Sequence, residues 1–298
     1  MISTETLTEK ANALIAAGGL TNTQLAQLSG IQTSLENSKY VVANIAALPD
    51  AALNTGRFAY VTTEEEFYFS DGEQWTNSWD SSYVLSNVAY AWGYNGYGNL
   101  GDGTTVSKSS PVTVVGGITN WSLVVAGGYH SLGVTDTGVA YAWGLNNNGQ
   151  LGDGTTVYKS SPVTVVGGIT NWSSVVAGGY HGLGVTDTGV AYAWGSNFYA
   201  QLGDGTTVGR SSPVTVVGGI TNWSQVSGGD QHSLGVTDAG VAYAWGRNNN
   251  GNLGDGTTVN KSSPVTVVGG ITNWSSVSAG GYHSLGVTDA GVAYAWGY

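Results

Sequence analysis

Four histidines recur at a spacing of 51 residues, and imidazole is well suited to metal ligation or proton transfer near neutral pH. They are His130, His181, His232 and His283. If the chain arranges equivalent positions around an axis, these rings could converge on a metal or catalytic centre. A residue present in every copy of a repeat is also what packing requires. We therefore predict that each imidazole hydrogen-bonds the backbone of a neighbouring unit and positions its own strand.

Two sets of aspartates repeat with the same spacing. They are Asp102, Asp153, Asp204 and Asp255, in Leu-Gly-Asp-Gly-Thr-Thr, and Asp136, Asp187, Asp238 and Asp289, in Thr-Asp-x-Gly. The first set superficially resembles calcium loops, but one carboxylate per loop falls short of the roughly six to eight oxygen ligands that calcium takes. We predict turn and capping roles for the first set and hairpin roles for the second.

No other group of residues supports catalysis. The chain has no cysteine, so neither a thiolate site nor a disulfide is available. The serines recur in identical contexts, whereas an active site normally breaks the symmetry of a repeat. The Gly-x-Gly patterns lie between strands, not at a strand-to-helix turn, so they do not form a phosphate cradle. We predict a protein that is not an enzyme and has no catalytic residue, metal site or cofactor.

Composition narrows the classes of partner. The 298 residues include 19 acidic and 8 basic side chains, for a net charge of −11. Because nucleic-acid affinity depends mainly on Lys and Arg, this balance argues against a nucleic-acid partner. No apolar run approaches the ~20 residues that span a bilayer, and Glu5 and Glu9 do not fit a signal peptide. We expect a soluble, acidic protein that is neither inserted into membranes nor exported by the ordinary route.

The elements that position these side chains are copies of one unit. The phrase Val-Ala-Tyr-Ala-Trp-Gly recurs every 51 residues. In the first copy the strand-like segments are Val88–Trp92, Pro111–Val115, Trp121–Ala126 and Ser131–Thr135, and no window has a helical period. Short antiparallel strands at this period indicate the blades of a β-propeller. The structural markers of the repeat are the four histidines and Trp92, Trp143, Trp194 and Trp245.

The wording of the unit resembles the regulator-of-chromosome-condensation repeat. Trp143–Leu151, Pro162–Val166 and Val175–Leu183 match its phrases, although Gly182 stands where that family has serine. The resemblance covers residues 88–298 and implies a propeller, usually of seven blades. This chain has four copies and a final fragment, so residues 274–291 could complete the blade begun at 88 and close a small ring. An open arc completed by other subunits, or a chain that continues further, fits equally well.

Residues 1–86 have a different character. The capping-box spacing of Thr6–Glu9 and short apolar faces predict a helical attachment and oligomerisation segment over residues 1–40. Strand-like Arg57–Val61 and Phe67–Ser70, with a hairpin signal at Asp71-Gly72, predict a small β-meander within 41–86. Wording between residues 45 and 75 is similar to modules in structural proteins of tailed bacteriophages. We thus predict a mainly β protein, in which a propeller-like domain over 87–298 follows short helices and a meander.

The copies differ from one another mainly in their loops. The variable loops are rich in Tyr, Asn, Gly and Ser, residues that suit recognition surfaces, although exposed loops also drift freely. The predicted binding residues are Tyr94, Tyr97, Leu145, Asn147, Asn148, Tyr158, Phe198, Tyr199, Arg247, Asn249 and Asn250. A further difference is the change of Gly128-Tyr129 to Asp230-Gln231 in the third copy.

These features lead to one functional hypothesis and two alternatives. The first is a bacteriophage virion protein, either a receptor-binding tail fibre or a decoration protein. Residues 1–86 would bind other virion proteins and form a homo-oligomer, plausibly a trimer, while the propeller would bind a host-surface polysaccharide or protein. The second is a cellular, cytoplasmic interaction propeller, or a guanine-nucleotide exchange factor, as the repeat family implies. The third, a glycan depolymerase, is disfavoured because no asymmetric carboxylate pair is present.

Overall fold

The computed structural model describes residues 87–298 in full and four short strands before them, at 41–42, 58–61, 66–70 and 75–77. The chain divides into two units, Met1–Leu85 and Ser86–Tyr298, and each is described by itself. The helices predicted over residues 1–40 lie outside the described residues. The described residues contain no helix, and hence none of the length and apolarity that a bilayer crossing needs.

The first unit contains one four-stranded sheet. Its strands are β1 (Val41–Val42), β2 (Phe58–Val61), β3 (Glu66–Ser70) and β4 (Trp75–Asn77). Strands β2, β3 and β4 form an antiparallel meander, with Tyr60 opposite Phe67 and Phe69 opposite Thr76. This is the predicted meander. Strand β1 joins β2 in parallel, an addition that the sequence pattern does not predict.

The second unit is a row of antiparallel sheets, the blades of a propeller-like array. A half-blade contains β5 (Tyr90–Gly93) and β6 (Lys108–Thr113). The first complete blade contains β7 (Trp121–Ala126), β8 (His130–Thr135), β9 (Ala140–Gly144) and β10 (Lys159–Thr164). The second contains β11 (Trp172–Ala177), β12 (His181–Thr186), β13 (Ala191–Gly195) and β14 (Arg210–Thr215). The third contains β15 (Trp223–Gly228), β16 (His232–Thr237), β17 (Ala242–Gly246) and β18 (Lys261–Thr266). A terminal sheet of three strands contains β19 (Trp274–Ala279), β20 (His283–Thr288) and β21 (Ala293–Gly297).

Each complete blade is a simple meander, and its residue types fit their places in it. The strands of a blade are paired in chain order, so the last strand is an edge. Pro162 lies in the edge strand β10, where its missing N–H removes no ladder hydrogen bond. In β8, Leu132 and Val134 point to one face of the sheet and are fully buried. The repeated Lys/Arg-Ser-Ser-Pro-Val-Thr segment therefore forms the outer strand of every complete blade.

The apolar core lies between successive blades. Leu132, Val134 and Leu151 of the first complete blade pack with Trp172 and Trp194 of the second in one cluster, and equivalent clusters follow at the next two junctions. The rings of Trp172 and Trp194 are 5.7 Å apart. Burial of such large side chains is the main stabilising contribution to each junction, because single blades leave these faces exposed.

Side chains of one blade also hydrogen-bond the loop of the preceding repeat. Trp194 Nε1 donates to the carbonyl of Gln150 at 3.0 Å, and Trp245 Nε1 donates to that of Gln201 at 2.9 Å. The backbone N–H of Gly154 donates to the carbonyl of Ser211 in the opposite sense, at 2.8 Å. The buried tryptophans therefore set both the packing and the register of neighbouring blades, as their role as repeat markers predicts.

Among residues 87–298 the array is an open arc, and the ring closure considered from the sequence does not occur between its first and last sheets. Strand β5 pairs only with β6, while β19 and β20 form a sheet with β21. The half-blade lacks two inner strands, and so Trp92 is 63% exposed whereas its counterpart Trp143 is 2% exposed. Trp92 marks the repeat in the sequence, but its indole lacks the neighbouring strands that bury its counterparts.

Candidate functional site

The variable loops gather at one end of the blades. His130, at the start of β8, is paired with Gly144, at the end of β9. The turn before β8 and the loop after β9 are therefore neighbours, and Leu145 N donates to the carbonyl of Tyr129 at 2.9 Å. We call this end, formed by the β7–β8 and β9–β10 connections and their equivalents in other blades, the loop face. The hairpins that contain Asp136 and its counterparts lie at the opposite end.

A buried asparagine holds each long loop in shape. Asn248 is fully buried, and its Nδ2 donates to Asp255 Oδ1 at 2.9 Å and to the carbonyls of Thr257 and Val259 at 3.1 and 3.2 Å. Its Oδ1 accepts a hydrogen bond from Leu253 N at 3.0 Å. Asn95, Asn146 and Asn197 make the same bonds in their loops. The loop face is thus built on a rigid polar framework.

The loop aspartates belong to this framework. Asp102 Oδ1 accepts a hydrogen bond from Thr104 N at 2.9 Å, and Oδ2 lies 3.3 Å from Lys108 Nζ. Burial raises the pKa of Asp102. Hydrogen bonds from Thr104, Lys108 and Asn95 together lower it by more than burial raises it, so the pKa lies below its ordinary value. Within residues 87–298, no group of three or more His, Asp or Glu side chains is placed to hold a metal ion. These carboxylates stabilise turns.

The hairpin aspartates at the opposite end also have local partners. Each accepts a hydrogen bond from the side chain of an asparagine in a neighbouring loop at this same end of the blades, opposite the loop face. The pairs are Asn120–Asp136, Asn171–Asp187, Asn222–Asp238 and Asn273–Asp289. This arrangement gives them the hairpin role predicted from the sequence.

The histidines lie at blade junctions. His181 Nε2 lies 2.9 Å from Ser233 Oγ and His232 Nε2 lies 3.0 Å from Ser284 Oγ, so each of these rings has a serine hydroxyl of the next blade as a partner. His130 has no hydrogen-bond partner on either ring nitrogen, because Gly182 occupies the position of that serine. His283 is exposed, since no described blade follows it.

Burial also determines the protonation of these rings. Desolvation lowers the pKa of His130 to about 4 and that of His232 to about 4. The pKa of His181 is lowered to about 3, by desolvation and by the neighbouring His130 and His232. Neutral, enclosed imidazoles that bond to serines of the next blade act as junction residues.

Most of the predicted binding residues are accessible on the loop face. Phe198 is 78% exposed and Tyr94 58% exposed. The other exposed or half-exposed members are Tyr97, Asn147, Asn148, Tyr158, Tyr199, Arg247, Asn249 and Asn250. Leu145 is the exception: it is 5% exposed, so its side chain is not available to a partner. Its backbone N–H bonds Tyr129, which places it under the loop.

Four tyrosines meet where the half-blade joins the first complete blade. Tyr97 lies 5.4 Å from Tyr129 and 5.6 Å from Tyr158 between ring centroids, and Tyr94 lies 6.0 Å from Tyr97. All three contacts are edge-to-face, the geometry that aromatic pairs prefer. We call Tyr94, Tyr97, Tyr129 and Tyr158 the tyrosine cluster. Tyr129 is not among the predicted binding residues, although its change to Gln231 in another copy signals variation there.

A groove of about 260 Å³ opens at the next junction of the loop face. Its lining includes Asn147, Asn148, Phe198 and Gly209. Gly209 is the counterpart of Tyr158, whose ring packs on Tyr97 one junction earlier. The absence of a side chain at position 209 therefore leaves open the space that a tyrosine fills elsewhere.

A third feature surrounds Arg247. Its guanidinium carbon lies 5.0 Å from the ring centroid of Tyr199 and 5.7 Å from that of Tyr282. Its Nη1 donates to Gln231 Oε1. We call Tyr199, Gln231, Arg247 and Tyr282 the arginine cluster. It brings two predicted residues together with two that were not predicted.

Comparison with known proteins shows which family this architecture belongs to. The model of the RCC1-like domain matches residues 58–298. The chain is similar to the ultraviolet-B receptor UVR8 of Arabidopsis thaliana, with 36% identity over 60% of this chain and 41% of UVR8. It is similar to the human E3 ubiquitin-protein ligase HERC2, with 32% identity over 73% of this chain and 5% of HERC2.

Among solved structures, Prp20p from Saccharomyces cerevisiae superposes with a TM-score of 0.60 and 22% identity, over 71% of this chain and 54% of Prp20p. This likeness shows the fold. The chain spans less than half of UVR8 and a small part of HERC2.

These matches overturn the hypothesis of a virion protein. The relatives are proteins of plant, human and yeast cells, and the matching domain model includes residues 58–77, part of the segment that resembled phage modules. The short meander wording was a weak signal, because a few aromatic and turn residues in a hairpin are common to many small sheets. Localisation in a virion, virion partners and a fibre-like trimer have no support in the matches.

Proposed function

Because the chain belongs to the RCC1-like domain family, we propose that residues 87–298 are a protein-binding module of a cellular protein, whose loop face receives the partner. The observation that carries the proposal is the tyrosine cluster. It places four partly exposed aromatic rings from three loops of the chain on one surface.

The composition of the loop face supports a protein ligand. Tyr and Arg are enriched among residues that dominate protein interfaces, and a large exposed aromatic patch on a soluble domain marks an interaction site. Tyr94, Tyr129 and Tyr158 are between 42% and 58% exposed, although they could have been covered by their own loops. Their rings are edge-packed and therefore lose little conformational entropy on binding.

The framework beneath the patch supports binding without large rearrangement. Asn95 is fully buried and holds the loop that carries Tyr94 and Tyr97. A rigid scaffold with variable side chains on its surface is the usual arrangement of binding loops. Prp20p, which shares the fold, has binding properties towards Gsp1p and histones. This supports a protein as the class of partner for the present chain.

The same features support a binding role in preference to catalysis. The loop aspartates are held by threonine and by lysine or arginine, and three of the four histidines are enclosed at junctions. An exchange-factor activity is the finer form of this proposal: the partner would be a small GTPase, and faster nucleotide release from it would be the measurable activity.

The test is quantitative affinity capture with the full chain. The doubly substituted chain Tyr97→Ala/Tyr158→Ala is compared with the wild type and with Thr119→Ala/Thr170→Ala, a matched pair of changes in exposed loops at the opposite end. We expect the same proteins to be captured by the wild type and the threonine variant, and to be lost from the tyrosine variant. Unchanged capture by the tyrosine variant, with its fold verified by circular dichroism, would show that the loop face is not the binding surface.

A further inference from the structure

One cation of the loop face lacks a carboxylate partner. Residues 87–298 contain five basic side chains. Four of them pair with a loop aspartate, in the pairs Lys108–Asp102, Lys159–Asp153, Arg210–Asp204 and Lys261–Asp255. Among the described residues, Arg247 alone makes no such pair. Its charge is thus not neutralised by the framework that neutralises the other cations.

The residues around Arg247 fix the position of its guanidinium but leave its Nε–H without a hydrogen-bond acceptor. The ring of Tyr199, from the long loop of the preceding blade, and that of Tyr282, from the following blade, lie 5.0 and 5.7 Å from its guanidinium carbon. Gln231 accepts one hydrogen bond from Nη1, while Nε is enclosed without an acceptor. Asp230 is next to Gln231 in the chain, but its Oδ1 is turned towards the preceding blade, 2.2 Å from the position that a Cβ on Gly179 would take.

The cluster is particular to this blade. Gln231 and Arg247 replace Tyr129 and Leu145 of the first complete blade and Tyr180 and Ser196 of the second. The two changes belong together, because the glutamine supplies the acceptor for Nη1 where the other blades have a tyrosine. The two substitutions together place a guanidinium of fixed orientation on the third blade, at a position where the other blades have no charged side chain.

The chemistry of this group indicates its ligand. A guanidinium presents N–H groups in a planar fork that matches a carboxylate, and such charge-assisted bonds are stronger than neutral ones. Flanking aromatic rings fix the plane of the fork and exclude water from its faces. Arginine in an aromatic setting is also typical of the residues that dominate binding free energy at interfaces.

We propose that Arg247 binds the carboxylate of an aspartate or glutamate side chain of the protein partner. The carboxylate approaches the guanidinium N–H groups that Gln231 does not occupy, beside the rings of Tyr199 and Tyr282. Arg247 is then the residue of the loop face that selects for an acidic position in the partner. This inference rests on the proposed protein-binding function.

The test is selection of peptides from a random display library by the full chain. Four baits are used: the wild type, Arg247→Gln, Arg247→Glu and the control Thr170→Ala, which changes an exposed loop at the opposite end of the blades. Synthetic peptides from the wild-type selection are then measured in two forms, with the acidic residue and with its amide counterpart.

We expect peptides selected by the wild type and by the control to share an acidic position. Replacing that residue by its amide should weaken binding to the wild type by about tenfold and to Arg247→Gln by less than about twofold, because only the wild type offers the charged fork. Arg247→Glu should select a basic residue at that position. An acidic preference that persists in Arg247→Gln, or wild-type peptides without an acidic position, would overturn the inference. A wild type that selects no peptide would instead count against the proposed binding function, and this inference would fall with it.

Discussion

His181 and Ser233 are joined across a blade junction, with 2.9 Å between Nε2 and Oγ. Ser233 Oγ in turn donates to the carbonyl of Gln201 at 2.8 Å, so the imidazole is the donor to the serine. The relay ties β12 of the second blade to β16 of the third blade, and β16 to the long loop between β13 and β14. His232 and Ser284 repeat it one junction later. At the preceding junction Gly182 interrupts the relay and leaves His130 unbonded.

Restoring the serine should stabilise that junction. We expect Gly182→Ser to raise the free energy of unfolding by about 1 kcal/mol, through a new bond to His130 and a less flexible unfolded chain. An ideal Cβ at position 182 lies 2.4 Å from Trp194 Cε2, so the indole must shift towards the place that Trp245 takes beside Ser233. Urea unfolding measures the change.

The reverse substitution is the control for this prediction. Ser233→Gly should lower the free energy of unfolding by about 1–3 kcal/mol, because it leaves the buried Nε2 of His181 without a hydrogen-bond partner. If both substitutions destabilise the protein, Trp194 is locked in its present position and the glycine is required by packing.

Ala200 has a left-handed backbone conformation, with φ of +65°. Its counterpart Gly149 has φ of +78°, and a Cβ there would lie 2.6 Å from Ser211 Cα. We expect Ala200→Gly to raise the free energy of unfolding by about 1 kcal/mol, since the relief of strain exceeds the added entropy of the unfolded chain. Gly149→Ala should lower it by about 1–2 kcal/mol. Equal melting temperatures for the wild type and Ala200→Gly would contradict the assignment of strain.

The buried histidines make stability depend on pH. In the unfolded chain they titrate near 6.5, but in the folded protein the pKa values of His130 and His232 are lowered to about 4 and that of His181 to about 3. The unfolded state therefore binds more protons below pH 6.5. Their stabilising contribution is complete above pH 6.5 and is lost as the pH falls towards 4, by about 1 kcal/mol per pH unit for each histidine.

Denaturant midpoints between pH 7 and pH 4.5 test this dependence. His130→Leu removes one titrating group and breaks no hydrogen bond, so it should reduce the slope by about one third, one of three such groups. The aspartates act in a separate range, since the lowered pKa values of Asp102, Asp204 and Asp255 matter only below 3.8. An unchanged slope in His130→Leu would show that this ring is not the buried neutral group described above.

Adjacent asparagines of one loop should differ in their effect on stability. Asn248→Ala removes the hydrogen bonds of a buried side chain to Asp255, Thr257, Val259 and Leu253 and should lower the free energy of unfolding by about 3 kcal/mol. Asn249→Ala changes an exposed neighbour and should stay within about 0.5 kcal/mol of the wild type. Calorimetry on both variants measures the difference, and similar losses would mean that the framework does not hold the loop.

The parts of the fold that depend on local pattern were predictable from the sequence. A strict period, apolar strands and glycine turns specify the meander of each blade, because these signals act within one unit. Ring closure was not predictable. Whether β20 meets β5 depends on the angle between successive blades, which arises from packing at every junction and has no local signature.

The loop residues show the same division. Tyr94 and Phe198 were identified by their variation between copies, and they are exposed as expected. Leu145 varies too but points inward, since variation alone does not distinguish a loop's surface from its underside. Gln231 was noted as a difference between copies but was not predicted to be a binding residue, because its role appears only when its side chain meets Arg247, sixteen residues away in the sequence.

Every junction described here uses contacts at a constant distance along the chain. The indoles of Trp143, Trp194, Trp245 and Trp296 each reach a carbonyl 44 residues earlier, and each imidazole bonded to a serine reaches a hydroxyl 52 residues later. An in-frame gain or loss of one 51-residue gene segment would consequently recreate the same junction, without any new interface having to evolve. Unequal recombination can therefore lengthen or shorten the array while point mutation diversifies its surface independently.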